Sequence, residues 1–171
     1  VAPDASVFNV LSYPKLYHNL KAAIKEVCTE ARNPNIFYDD CPIPGEEMLR
    51  IVENREFSRL PSHMGNVAQE ALETLLHTRD GQLCDIMIDK AALEAIRKAG
   101  KESGEPIIEN YADTMVAIAD IKIAVRSRKT GKSADFMRSA MAECDGVNVE
   151  QLIRAALAGE DEIAQLSLIH I

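Results

Sequence analysis

Apolar residues recur every three to four positions along most of the chain, which is typical of helices that bury one side. Leu16, Leu20 and Ile24 follow Pro14, a residue that suits the first turn of a helix. The longest periodic stretch covers about residues 106–129 and ends in cations that complement a helix C-terminus. The pattern predicts an all-α fold, an irregular bundle of about six to seven helices joined by short loops.

Turn-forming residues divide this pattern. The segment Asn33 to Gly45 contains three prolines and predicts an ordered loop. The stretch Leu83 to Ala99 contains Asp89, a candidate N-cap, so it forms either one kinked helix or two short ones. Ser133 is expected to cap a helix that reaches Glu143. Asn148 and Gln151 resemble a capping box for a last helix that ends at Ala158.

The length predicts a single helical domain, or a helical fragment of a larger protein, over residues 1–165, with lobes at 1–60 and 61–165 as an alternative. The chain opens on Val1 rather than methionine, which favours the fragment. Residues 166–171 read Leu-Ser-Leu-Ile-His-Ile, the translation of one frame of a transposon end used to prepare sequencing libraries. We therefore expect these residues to be a non-native tail.

Composition narrows the function classes. The net charge of −8 argues against a general nucleic-acid coat or a binder of anionic membranes. No apolar run approaches the roughly 20 residues that span a bilayer, so no membrane contact is expected. The four cysteines form no CxxC pair, which favours free thiols and a cytoplasmic location.

Acidic residues form the first candidate site. Glu109, Asp113 and Asp120 lie within about 40° of one another on a helix that turns about 100° per residue. Glu70 and Glu73 are i,i+3 neighbours on an earlier helix. Carboxylates from two helices are suitable ligands for Mg²⁺, which can activate water against a phosphoanhydride. The stripe borders a face that we expect to be apolar, formed by Ile108, Tyr111, Ala112, Met115, Ile118 and Ala119.

These spacings resemble the all-α nucleotide pyrophosphohydrolases of the MazG-like group over about residues 66–125. Glu70-Ala-Leu-Glu73 corresponds to the ExxE pattern of that group, and Glu109-Asn-Tyr-Ala-Asp113 to its second acidic pattern. The second spacing is one residue longer than in the family, and Asn110 stands where the family has glutamate. The resemblance implies a Mg²⁺ site formed by Glu70, Glu73, Glu109 and Asp113.

Basic residues form the second candidate site. On the long helix, the side that is apolar at Met115 and Ile118 becomes positively charged further along. Cations in this position can meet a protein partner or a polyanion, or can simply complement the helix dipole. The residues of this basic helix end are Lys122, Arg126, Arg128, Lys129 and Lys132.

Two functional hypotheses follow. The first is a non-catalytic helical accessory or interaction domain of a larger bacterial or phage-type protein. It would contact a protein partner, missing parts of its own chain or, weakly, a polyanion through residues 122–132, and it would need no cofactor. The alternative is a Mg²⁺-dependent nucleotide pyrophosphohydrolase that uses the four acidic residues.

Overall fold

The computed structural model describes residues 8–29 and 34–170. Within this part of the chain all regular structure is helical, which confirms the predicted all-α fold. The longest helix begins at Pro106 and ends at Lys129, as the sequence predicted. The α-helices are α1 Asn9–Thr29, α2 Gly45–Glu53, α3 Gly65–Thr78, α4 Gly81–Glu102, α5 Pro106–Lys129, α6 Ala134–Ala140, α7 Val149–Ala158 and α8 Glu160–His170, and 3-10 turns lie at Pro34–Ile36 and Phe57–Arg59.

The chain divides into two compact units, and the division falls within α1 and within α4. One unit comprises Leu11–Ala92, and the other joins the start of α1 to the residues from Leu93 onward. The domain assignment made from the sequence, including the non-native tail, stays a prediction. In that tail Leu166 packs partly against the core while Leu168 is 86% exposed, and Ile171 lies outside the described residues.

The unit of Leu11–Ala92 buries the apolar sides of its helices, as their three-to-four spacing predicted. Its first helix differs from the prediction, because α1 begins at Asn9 and Pro14 lies inside it. Proline inside a helix removes one backbone hydrogen bond and its ring crowds the preceding turn, so Pro14 is accommodated in the second turn of α1 at a cost in helix stability. The buried residues include Leu16, Tyr17, Leu20 and Ile24 of α1, Met48, Ile51 and Val52 of α2, and Ala68, Ala71, Leu72 and Leu75 of α3.

Asn19 fixes the proline-rich segment that precedes α2. Its side chain is fully buried, and Nδ2 donates to the carbonyl oxygens of Tyr38 (2.7 Å) and Ile43 (3.2 Å). Its Oδ1 accepts from the Tyr38 backbone nitrogen at 2.9 Å. A buried amide that satisfies several backbone groups can hold an irregular segment as regular structure would. Asn19 therefore holds residues 38–43 in place outside any regular helix.

The other unit has a core of small and branched residues shared by α5, α6, α7 and α8. It also brings α4 and α5 unusually close together at Gly100. A Cβ atom placed on Gly100 would lie 2.4 Å from the Cβ of Ala112, so only glycine allows this approach. The buried cluster includes Val116, Ala117, Ala124, Met137, Met141, Leu152, Ile153, Ala156 and Ile163.

Both predicted caps are confirmed in this unit. The Ser133 side chain accepts from the Phe136 backbone nitrogen at 3.2 Å, and that of Asn148 accepts from Gln151 at 3.0 Å. The helix that Ser133 starts was expected to reach Glu143, but α6 ends at Ala140. The region of Asp89 forms one continuous helix, α4.

Candidate functional site

Asp113, a predicted metal ligand, binds the backbone of its own unit. Its Oδ1 accepts from the Asp145 nitrogen at 2.7 Å, and its Oδ2 accepts from the Gly146 nitrogen at 2.8 Å. Two adjacent backbone N–H groups thus donate to one carboxylate, and hydrogen bonds to an ionised acceptor are stronger than those between neutral groups. Gly146 allows this contact, because a Cβ there would lie 3.0 Å from Oδ2. Asp113 therefore acts as an anchor for the turn at 145–146.

Asp120 anchors the same segment two turns further along α5. Its side chain is 0% exposed, and Oδ1 accepts from the Ala142 backbone nitrogen at 3.2 Å. A buried carboxylate costs free energy unless polar partners compensate for its lost hydration. The contact also explains why α6 ends early, because the Ala142 N–H donates to Asp120 and not to a backbone carbonyl oxygen of α6. Together Asp113 and Asp120 hold residues 141–147, which we call the anchored segment.

Cations of α4 complete this polar network. Arg97 Nη2 donates to Asp145 Oδ1 at 2.7 Å, and its Nε lies 3.9 Å from Asp113 Oδ1. Lys101 Nζ lies 3.3 Å from Asp145 Oδ2. The hydrogen bond from Lys101, supported by the charge of Arg97, holds the pKa of the Asp145 carboxyl below its ordinary value. Asp145 thereby ties the anchored segment to α4 as well as to α5.

The remaining predicted metal ligands are exposed. Glu109 lies in the first turn of α5, where a negative charge favours the helix dipole. Glu70 and Glu73 lie on the surface of α3, and Gln69 Nε2 donates to Glu73 Oε1 at 3.0 Å. Among the residues that the structure describes, no group of three or more His, Cys, Asp or Glu side chains could hold a metal ion. Glu70 and Glu73 belong to the unit of Leu11–Ala92, whereas Glu109 and Asp113 belong to the other unit, and their assignment as ligands of one metal ion stays a prediction.

The basic helix end is only partly available for binding. Arg128 Nη1 donates to the Leu157 carbonyl oxygen at 3.2 Å, which links α5 to α7. Lys132 Nζ lies 4.9 Å from the centre of the Phe136 ring, within range of a cation–π contact. Lys122, Arg126 and Lys129 are exposed. The role of these five residues in partner binding stays a prediction.

The apolar face predicted for α5 is divided between two sides of the helix. The buried side consists of small or polar residues, among them Ala112, Val116 and Asp120. Tyr111 and Ile118, which the sequence placed in the apolar face, are 41% and 40% exposed, and Ile107 is 82% exposed. These three residues lie within about 40° of one another on the helix, and we call them the outer stripe. Sequence reasoning missed this surface because it expected the larger apolar residues to be buried.

The thiol groups are not activated for nucleophilic chemistry. All four cysteines are free, and burial is the main cause that raises the pKa of each thiol above its ordinary value. The largest effect is at Cys84, whose pKa is raised to about 11. A thiol of raised pKa is protonated at neutral pH and is a poor nucleophile. Cys84 and Cys144 are buried core residues, whereas Cys28 and Cys41 are partly exposed.

Comparison with known proteins identifies one matching protein family. No curated protein and no solved structure is significantly similar to the chain. The model of one protein family, described as ATP synthase (C/AC39) subunit, matches residues 1–168. Such a protein works with the other subunits of a complex, which agrees with the predicted protein partners. In the described part of the chain, no helix combines the length and hydropathy that a membrane span requires.

The match corrects both functional hypotheses drawn from the sequence. The first hypothesis, an accessory or interaction domain of a larger bacterial or phage-type protein that contacts a partner or polyanion through residues 122–132, is overturned by the match to a family of ATP synthase subunits. The chain is also not a MazG-like pyrophosphohydrolase, because the family match covers the whole region of that resemblance. The chain belongs to the family of ATP synthase (C/AC39) subunits.

Proposed function

We propose that this chain is a structural subunit of a rotary ATP synthase and that it works by binding other subunits rather than by catalysis. The family match over residues 1–168 carries this proposal. The internal use of the candidate chemical groups supports it, because Asp113 and Asp120 bind backbone N–H groups and the thiols are protonated. The cytoplasmic location expected from the sequence is part of the proposal.

A subunit that joins moving neighbours must keep its own shape under load. The anchored segment supports such rigidity, because an irregular stretch is tied to α5 by three hydrogen bonds from its backbone. Residue Gly100 supports it as well, since it lets α4 and α5 pack at short distance. These features support a firmly held framework within the unit that contains α5.

Co-expression with the other subunits of the ATP synthase from the same genome tests the proposal. The complex is isolated through an affinity tag on another subunit, and native mass spectrometry measures whether this chain is present in a fixed ratio. We expect a fixed ratio in the complex and no ATP hydrolysis by the isolated chain. A chain that is absent from the assembled complex, or that hydrolyses ATP by itself, would overturn the proposal.

A further inference from the structure

The outer stripe is an apolar surface on a helix whose opposite side is already packed. Ile107, Tyr111 and Ile118 are 82%, 41% and 40% exposed, although each has a side chain that normally favours burial. The buried side of α5 faces the core through Ala112, Val116 and other residues, about 100° or more from the middle of the stripe. Because these three residues share one side of the helix instead of being scattered over the surface, they form a candidate surface for contact with another protein.

Positive charge continues the outer stripe toward the end of the helix. Lys122 and Lys129 follow Ile118 after four and eleven residues, which places them within about 40° of it on the helix. Both are exposed, and within residues 8–29 and 34–170 neither lysine ammonium forms an ion pair or a side-chain hydrogen bond. The stripe is therefore apolar at its start and cationic at its end.

We propose that the outer stripe binds a helix of another ATP synthase subunit, one with an apolar ridge that ends in acidic residues. The inference rests on the proposed function, which supplies the class of partner, and the stripe supplies its chemistry. Apolar contacts with Ile107, Tyr111 and Ile118 provide most of the affinity. Acidic residues opposite Lys122 and Lys129 fix the direction of the bound helix and speed its association.

A second copy of this chain fits the stripe less well. In an antiparallel pair centred on Ile118, Lys129 of each copy would face Ile107 of the other, and Lys122 would face Thr114. In a parallel pair the lysines would face each other and repel. Neither arrangement gives these cations an acidic neighbour on the stripe, so charge complementarity favours a different subunit.

Serine substitutions on the stripe test the proposal in the co-expressed complex. The variant Ile107→Ser/Tyr111→Ser/Ile118→Ser is compared with Ile36→Ser/Leu83→Ser/Leu157→Ser, which changes three exposed apolar residues of other elements. We expect the stripe variant to lose at least tenfold in occupancy of the complex and the control to stay within twofold of wild type. Circular dichroism and thermal unfolding of the isolated chains confirm that both variants fold.

Crosslinking on the otherwise unchanged chain gives an independent measurement. A photo-reactive amino acid at Ile118 should crosslink to one subunit, at an apolar helix position close to acidic residues. The same amino acid at Leu157 serves as the control position. In addition, Lys122→Glu/Lys129→Glu should slow association at low salt about fivefold and remove most of its salt dependence.

The outcomes separate the two proposals. If the wild-type chain does not join the complex, the proposed function fails, and the inference fails with it. If wild type and the stripe variant join equally, only the inference is overturned. Crosslinking of Ile118 to a second copy of this chain, or a wild-type dimer that the stripe variant disrupts, would also overturn it.

Discussion

The two sides of α5 reverse the usual distribution of polar and apolar residues. The inner side buries Asp120 completely and half-buries Asp113, whereas the outer side exposes Ile107, Tyr111 and Ile118. Backbone N–H groups of the anchored segment donate two hydrogen bonds to Asp113 and one to Asp120, which offset part of the cost of burying these side chains. The comparison shows that burial on this helix depends on which neighbours supply donors and space, and not on hydropathy alone.

Residue size explains the same contrast. The inner side carries Ala112, Ala117 and Ala124, which let neighbouring helices approach closely. A larger residue such as Ile118 would not fit at these positions without moving a helix. Ile107, Tyr111 and Ile118 lie on the opposite side and are exposed, whereas Ile121 and Ile123 pack partly against the core.

The largest effect should come from Asp120→Ala, which removes an acceptor from a buried N–H of Ala142. We expect the free energy of unfolding to fall by about 3 kcal/mol, the upper part of the usual cost of an unsatisfied buried group. Urea denaturation measures this loss. The matched control is Ile107→Ala on the outer side, which should stay within about 0.5 kcal/mol of wild type. An equal loss in both variants would remove the contrast between the two sides.

A smaller loss of stability is expected for Gly100→Ala, because the new Cβ at position 100 would lie 2.4 Å from the Cβ of Ala112. Overpacking of this kind costs about 1–3 kcal/mol, offset in part by the better helix propensity of alanine. We expect a net loss of about 1.5 kcal/mol in thermal or urea unfolding. Adding Ala112→Gly should relieve the clash and recover part of the stability, whereas Gly81→Ala, with open space around it, should cost almost nothing. No rescue by Ala112→Gly would mean that the helices do not meet there.

Asp113→Asn should weaken the anchored segment by a similar or slightly smaller amount. The amide oxygen can still accept one N–H, but the amide nitrogen cannot accept the other, and the negative charge is lost. We expect a loss of about 1 kcal/mol and faster hydrogen exchange at Asp145 and Gly146. Glu109→Gln neutralises an exposed acidic residue on the same side of α5 as Asp113. This variant should leave hydrogen exchange at Asp145 and Gly146 unchanged. Equal exchange in the two variants would contradict the anchoring role of Asp113.

The smallest expected effect is the change in the stability contribution of Asp145 as the pH falls. The folded-state pKa of Asp145 is lowered, so this residue stabilises the fold above its ordinary pKa of about 3.9 and loses that contribution as the pH falls through the lowered value. Asp145→Asn should therefore be less stable than wild type at pH 7 and approach it near pH 2. Urea denaturation at both pH values measures the difference, with Glu143→Gln as an exposed control in the same segment. A difference that does not change with pH would contradict this linkage.

Much of the fold was predictable from local sequence signals. The bounds of α5 follow from Pro106 at its start and from the cations and Gly131 at its end, and the caps at Ser133 and Asn148 were read from single residues. The end of α6 was not predictable, because it depends on Asp120, a residue more than twenty positions earlier. The start of α1 was missed because Pro14 is tolerated within the helix.

The candidate site shows the limit of spacing arguments. The sequence correctly grouped Asp113 and Asp120 on one side of a helix, since helical periodicity fixes that angle. It could not show that their partners are backbone N–H groups of the anchored segment rather than a metal ion. Glu109 belongs to the same angular stripe, yet it lies beyond the reach of that segment and remains exposed.

The sequence by itself determined the helical class, the long helix and the residues that share each of its sides, because these depend on local conformational preference and on a fixed turn per residue. Only the tertiary structure decided which side of α5 is buried. That choice depends on contacts between distant residues, namely Gly100 with Ala112 and Asp120 with Ala142. Close packing and the need to satisfy buried polar groups placed two aspartates inside and left three large apolar residues on the surface.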